Sequence, residues 1–256
     1  MSPKPTILLL HGAWNKPANY KPYITALETA GFEVHCPHLP TCRDTLKTFS
    51  DDVACVREVL DSLVQAGKKV MVIMHSYGGC VGSDALQEYS FPESNPNSSG
   101  GGVVHLLYMC AYMLRPGVSA WDLVERTGLD AVWPQYFDDW ADGTSFPRYP
   151  DLWFYGGMEK ETVDALIPRL ARFPLQAIRE KIRGDPWRRL PVTYARTEKD
   201  YALPKSFQDI MLDEAVEDGV KLRVEVYDTS HSVFLIQTEE MVRLAVEAAA
   251  DERNPI

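Results

Sequence analysis

The sequence predicts an α/β fold: a mainly parallel sheet of about six strands, flanked by helices on both faces. Three observations predict it. Short apolar runs recur along the chain, and a segment of helical periodicity separates each from the next. Glycine or proline stands at many of the changeovers. Finally, Val70-Met71-Val72-Ile73-Met74 runs straight into His75-Ser76-Tyr77-Gly78-Gly79-Cys80, so a serine is pinned between a buried strand and the start of a helix.

Thr6 to Leu10 reads as the first strand, ending at His11-Gly12-Ala13-Trp14. Asn19 to Ala30 has helical spacing and stops at Gly31. Phe32 to Cys36 reads as the second strand, broken by Pro37-His38-Leu39-Pro40. Asp44 to Ala66 is a long amphipathic helix with Phe49, Val53, Val56, Val59, Leu60 and Leu63 on one side and Gly67 at its end. The strand and serine turn follow, and the helix after them continues over Val81 to Tyr89. Pro92 to Gly102 is a polar, glycine-rich loop expected to be mobile, and Val103 to Tyr108 is a fourth buried strand.

Arg115 to Arg189 breaks this rhythm. It is dense in aromatic residues and prolines, with short helices expected at Ala120 to Thr127, Glu159 to Ile167 and Leu175 to Ile182. It reads as a helical cap inserted at 115–190 into a single domain of 256 residues. The sheet resumes at Pro191 to Ala195. Leu203 to Val216 is a helix, Lys221 to Tyr227 the last strand, Asp228 to Ser232 a turn and Val233 to Ala250 the closing helix.

A net charge of −10 argues against nucleic acid and anionic membranes as partners. No apolar run is long enough to span a bilayer, and the one near Met1 is too short for a signal peptide. Cys36, Cys42, Cys55, Cys80 and Cys110 are odd in number and irregularly spaced, which predicts reduced thiols in a cytoplasmic protein. Phosphate-cradling glycine motifs are absent; Gly100-Gly101-Gly102 precedes a strand rather than a helix. His35, Cys36, His38 and Cys42 lie close in sequence. However, His35 and Cys36 alternate across a strand and the spacing fits no standard zinc site, so no metal is expected.

A serine hydroxyl needs a base to take its proton and a third group to orient that base. In an open parallel sheet these groups gather at the carboxyl ends of the strands. His231 follows the last strand directly and is the candidate base. Asp200 follows the strand at 191–195 and is the candidate acid, ahead of Glu198 in the same loop. Ser76, Asp200 and His231 then run in the order nucleophile, acid, base. An oxyanion needs pre-aimed donors, for which the N–H groups of Tyr77 and Ala13 are candidates. Gly12 lets the first loop approach closely. His75 is expected to pack or support the turn, and His11 to support the first loop. Met74 departs from the pattern G-x-S-x-G, which wants glycine two places before the serine.

Together these residues resemble the α/β-hydrolase superfamily over nearly the whole chain. The likeness is closer to its small-ester branch, which includes plant methyl-salicylate-type esterases, hydroxynitrile lyases and similar microbial hydrolases. It is carried by Leu8-Leu9-Leu10-His11-Gly12-Ala13-Trp14, by the stretch from Ala26 to Val34, by His75 to Gly79, by Thr197 to Pro204, and by His231 with the helix after it. The resemblance implies Ser76, Asp200 and His231 as a triad, Ala13 and Tyr77 as oxyanion donors, a helical cap over an apolar pocket, and no cofactor. Trp14, beside the first loop, would border that pocket. Lyases of this branch carry threonine in place of the glycine and lysine after the histidine; Gly12 and Ser232 here favour the esterases.

The expected activity is therefore hydrolysis of a small or medium apolar carboxylic ester or lactone, and the resemblance leaves room for a homodimer. Two alternatives stay open: a lyase, isomerase or cyclase using the same pocket, and a ligand-binding module with an idle triad.

Overall fold

A computed structural model of the protein describes residues 4–43, 46–89 and 100–251. The chain runs β1 (Thr6–Leu10), α1 (Lys21–Thr29), β2 (Val34–His35), α2 (Phe49–Gln65), β3 (Lys69–His75), α3 (Gly78–Ala85) and β4 (Gly102–Met109). Next come α4 (Ala120–Arg126), α5 (Trp133–Tyr136), β5 (Phe137–Asp139), β6 (Thr144–Pro147), α6 (Pro150–Tyr155), α7 (Lys160–Leu166) and β7 (Phe173–Pro174). The chain then continues through β8 (Val192–Thr197), α8 (Lys205–Glu217), β9 (Leu222–Tyr227), α9 (Val233–Ile236) and α10 (Thr238–Ala249).

Six strands form one sheet in the order β2-β1-β3-β4-β8-β9, and every neighbouring pair is parallel. β1 is buried along its whole length, as is β3 after Lys69, which is what a sheet covered on both faces demands of its central strands. The chain leaves β1 for β2 on one side and reaches β3 on the other. The strand order therefore reverses between β1 and β3, and a crevice opens at their carboxyl ends. His11 to Trp14 and Ser76 emerge there.

Local sequence explains most element ends. Thr48 caps α2: its hydroxyl accepts from Asp51 N–H while Asp51 accepts from Thr48 N–H, which starts the helix at Phe49 rather than near Asp44. Gly67, at φ 74°, ends it. β2 is shorter than expected because it is an edge strand with β1 as its single partner. The helix after Ser76 stops at Ala85, with a short 3₁₀ turn at Gln87–Tyr89 in place of its last turn. The closing helix breaks at Gln237 into α9 and α10. Most of the expected mobile loop from Pro92 to Gly102 lies outside the described residues.

The segment at 115–190 needs a correction. It holds short helices near two of the expected places, and a 3₁₀ turn at Leu175–Ile178 near the third. Yet it is not purely helical, because β5, β6 and β7 form an antiparallel sheet. Strands of two to four residues are too short to show an alternating pattern in sequence. A turn makes them instead: Gly143, at φ 82°, donates to Trp140 O at 2.9 Å, and Trp140 N–H donates to Thr144 O at 2.9 Å.

Met74 is accommodated from the facing helix. Its side chain is fully buried, and a Cβ built on Gly82 of α3 would lie 2.4 Å from its sulfur. The small residue that lets β3 and α3 approach has moved from the strand to the helix. Gly82→Ala should therefore cost about 1–3 kcal/mol by overpacking. Met74→Ala should cost about 2–5 kcal/mol by leaving a cavity. The double variant should be more stable than the sum of the two costs allows, a coupling that urea unfolding of the four proteins measures directly.

Candidate active site

Ser76 follows β3 in the left-handed region, at φ 54°. A non-glycine residue holds that conformation only when its surroundings fix it. Here its carbonyl accepts from Gly79 N–H at 3.0 Å and Tyr112 N–H at 3.1 Å. The loop after β1 comes right up to it: a Cβ on Gly12 would stand 3.0 Å from Ser76 Cβ and 3.1 Å from His75 Nδ1, so a side chain there would crowd both. Ser76 lines a cavity, and its hydroxyl has no hydrogen-bond partner among the described residues.

His231 and Asp200 meet beneath this crevice. His231 Nδ1–H donates to Asp200 Oδ2 at 2.8 Å, and both side chains are buried. Asp200 is held by two further donors: Thr197 Oγ1 to Oδ2 and Leu203 N–H to Oδ1, each at 2.8 Å. A carboxylate fixed at three points fixes the imidazole on it. Glu198, the other acid of that loop, pairs instead with Arg196.

Ala13 and Tyr77 line the same cavity as Ser76, and the main-chain amide of neither donates to another described group. The Gly12 amide is occupied: it donates to Tyr20 Oη at 2.9 Å. Tyr77 is anchored through its side chain, whose hydroxyl donates to Asp52 Oδ2 at 2.8 Å. Asp52 is itself fully buried and also accepts from Thr41 N–H at 2.9 Å and Thr41 Oγ1 at 2.6 Å. Burial pushes its carboxyl up to about 6 despite these donors.

Trp14 is the second residue held in the left-handed region, at φ 61°. Its indole N–H donates to Ser145 O at 2.9 Å and its carbonyl accepts from Ala171 N–H at 2.7 Å, so it ties the first loop to the segment at 115–190. Its ring lies 5.2 Å from Phe173 and 5.6 Å from Phe137. The cavity encloses about 270 Å³. Trp14, Trp133, Phe137, Trp153, Phe154 and Ile178 form much of its wall, and no charged side chain lines it.

His11 and His75 are both buried and neutral. Leu39 N–H donates to His11 Nε2, which leaves the proton on Nδ1 to donate to Gly12 O at 2.9 Å; burial pushes this ring down to about 4. Burial, with the neighbouring His231, holds His75 well below the usual imidazole range. The donor atoms of His75, Cys110 and His231 lie within 4.8 Å of one another. Protein partners engage all three residues: His75 Nε2 and Cys110 Sγ both point at His231 O, at 3.0 and 3.2 Å.

The structure thus brings Gly12, Ala13, Trp14, Ser76, Tyr77, Asp200 and His231 to one end of the sheet. Sequence reasoning missed Asp52 and Tyr20. Asp52 carried a signal: it shares the apolar face of α2 with Phe49, Val53 and Val56, where an unpaired acid does not belong. Tyr20 carried none, since an aromatic residue at a helix start is ordinary core.

Residues 7–245 match a family described as Alpha/beta hydrolase family. Over 97% of its length the chain is 25% identical to the alpha/beta hydrolase nvfD of Aspergillus novofumigatus, 98% of which is covered. Among solved structures it is similar to a pyrethroid hydrolase from Sphingobium faniae, with a TM-score of 0.75 at 20% identity over 97% of this chain and 98% of that one. It is also similar to tomato methylketone synthase I, with a TM-score of 0.77 at 16% identity over 96% and 98% of the two chains. At such identities the two structures share the fold. Among the described residues, no helix is long and apolar enough to cross a membrane.

The carboxyl beneath Tyr77 has a measurable consequence. A carboxyl whose pKa is higher folded than unfolded takes its proton first in the folded chain, so its contribution improves as the pH falls. With Asp52 near 6, that improvement is about 2–3 kcal/mol and falls between pH 6 and about pH 4. Asp52→Asn removes the titration. The stability of wild type minus that of the variant should therefore rise, in favour of wild type, on going from pH 7 to pH 4. A gap that stays constant across urea titrations at both pH values contradicts the assignment.

Proposed function

Because the chain belongs to the alpha/beta hydrolase family, we propose that it is a serine hydrolase cleaving a small or medium apolar carboxylic ester or lactone. The observation that carries this reading is the buried His231–Asp200 pair set beside a cavity that Ser76 lines together with two unengaged amides. Ser76 Oγ attacks the carbonyl carbon as His231 Nε2 takes its proton. Asp200 orients the ring and offsets the positive charge it acquires. The carbonyl oxygen, now negative, is received by the N–H groups of Ala13 and Tyr77. His231 returns the proton to the leaving alcohol. Water then attacks the acyl-enzyme by the same route and frees the acid.

The cavity supports the substrate class. About 270 Å³ lies below the roughly 300–1,000 Å³ of sites for drug-sized ligands, which favours a compact molecule. Its aromatic wall, free of charged side chains, favours a neutral one. No cofactor and no second macromolecule are needed for this chemistry. A non-hydrolytic reading is kept in view because the fold is shared with a synthase as well as a hydrolase. Ser76 in the cavity wall beside Ala13 and Tyr77 favours hydrolysis, since a carbonyl held there meets a nucleophile together with donors for its oxygen.

A fluorophosphonate probe tests the reading. Wild type should be labelled at Ser76, as intact mass and peptide mapping show, and should turn over members of a panel of neutral esters and lactones. Ser76→Ala should lose labelling and turnover while keeping its fold, and His231→Ala should slow both by about 10³-fold or more. Turnover that survives Ser76→Ala would falsify the mechanism.

A further inference from the structure

One hydrogen-bonded chain inside the fold joins both sides of the proposed active site without touching the cavity. Gly12 N–H donates to Tyr20 Oη at 2.9 Å, and Tyr20 Oη lies 2.6 Å from His75 Nδ1. His75 Nε2 lies 3.0 Å from His231 O. The direction of each bond follows from chemistry. A carbonyl only accepts, so Nε2 carries the proton of this neutral ring. Nδ1 is then bare and accepts from the Tyr20 hydroxyl, whose oxygen is free to accept from Gly12. The sequence Gly12 N–H to Tyr20 O–H to His75, and His75 Nε2–H to His231 O, has one consistent polarity.

We infer that Tyr20 and His75 are positioning residues: together they hold the loop bearing Ala13 and the loop bearing His231 at a fixed separation on either side of Ser76. The inference rests on the hydrolase reading above. Two features separate it from ordinary core packing. First, Tyr20 and His75 are buried at 0% and 1% exposure, where apolar side chains would fill the same space at lower cost. Phe234 shows how well apolar packing serves there, stacking on Tyr20 at 4.2 Å and meeting His75 edge-on at 5.0 Å. Second, the Tyr20 hydroxyl selects the oxyanion donor. Engaging the Gly12 amide turns it away from the cavity and leaves the next amide, that of Ala13, to point inward. His75 contributes in the same way at the other end, fixing the His231 main chain while Asp200 fixes its ring.

The test compares inactivation by the fluorophosphonate probe, resolved into a maximal rate and a half-saturating concentration, in four proteins. Tyr20→Phe keeps the ring and deletes the hydroxyl. His75→Gln keeps a donor toward His231 O but moves the acceptor for Tyr20 from the Nδ1 position to an amide oxygen on the same terminal group. The third is their double variant. The fourth, Tyr23→Phe, deletes a buried hydroxyl in the first turn of α1, just after Tyr20, that donates to Met241 O at 3.3 Å and lies outside the hydrogen-bonded chain. The maximal rate should fall by about 10- to 100-fold in Tyr20→Phe, with the half-saturating concentration within about twofold of wild type. His75→Gln should fall comparably. The double variant should be no slower than the slower single, because each change severs the same link. Tyr23→Phe should lower the melting temperature less than Tyr20→Phe, since it gives up one longer bond and not two, while leaving the maximal rate within about twofold. A maximal rate in Tyr20→Phe equal to that in Tyr23→Phe overturns the inference, as do strictly additive losses in the double variant. Wild type that is not labelled at all overturns the hydrolase reading instead, so the two failures are distinct.

Discussion

The left-handed backbone at Ser76 is the constraint on which the rest of the structure depends. Such a conformation costs about 1–3 kcal/mol and does not persist unless several contacts impose it. The start of α3 presses so close on the chain after β4 that only bare backbone fits between them: a Cβ on Gly79 would lie 2.1 Å from Tyr112 O. Strand order supplies the rest. Because β1 and β3 are parallel neighbours ending in register, the loop after β1 leaves its strand right beside the serine. Gly12 is the point at which the two meet.

Around this turn, three buried histidines are made different by their partners. His11 faces a backbone N–H on one nitrogen and a carbonyl on the other, and His75 faces a hydroxyl and a carbonyl. Both sets suit a neutral ring. Only His231 has a carboxylate on its ring. His75 stands 4.4 Å from His231, centroid to centroid, so its neutrality matters to its neighbour: a cation there would oppose a second one alongside.

Much of this was legible in the sequence, and the reasons are specific. The strands of the large sheet are apolar because both faces are covered, so they stand out against amphipathic helices. The serine turn, the acid after β8 and the histidine after β9 are each adjacent to such a strand, and a parallel sheet brings all its carboxyl ends to one edge. What escaped depends on contacts between residues that carry no pattern. Met74 looked like a defect in the turn because its compensation sits in α3, at Gly82. The antiparallel strands β5 to β7 are made by a turn and by two to four residues each, below the length at which alternation is visible. Asp52 and Tyr20 do their work through one hydroxyl–carboxylate or hydroxyl–imidazole bond, which depends on burial and direction rather than spacing.

Trp14 makes two walls of the cavity a single body. Its indole N–H reaches Ser145 O and its carbonyl the Ala171 amide, and the residue just before it carries the amide proposed for the oxyanion. A segment transplanted from a relative into 115–190 would have to bring a carbonyl and an amide to those same two points, or the aim of Ala13 would change with it. Lining positions that share neither bond, such as Val124, Leu129 and Val132, or Tyr201 and Ala202, carry no such obligation. New selectivities in a fold wired this way are reached by replacing single side chains on the far walls, not by exchanging whole covers.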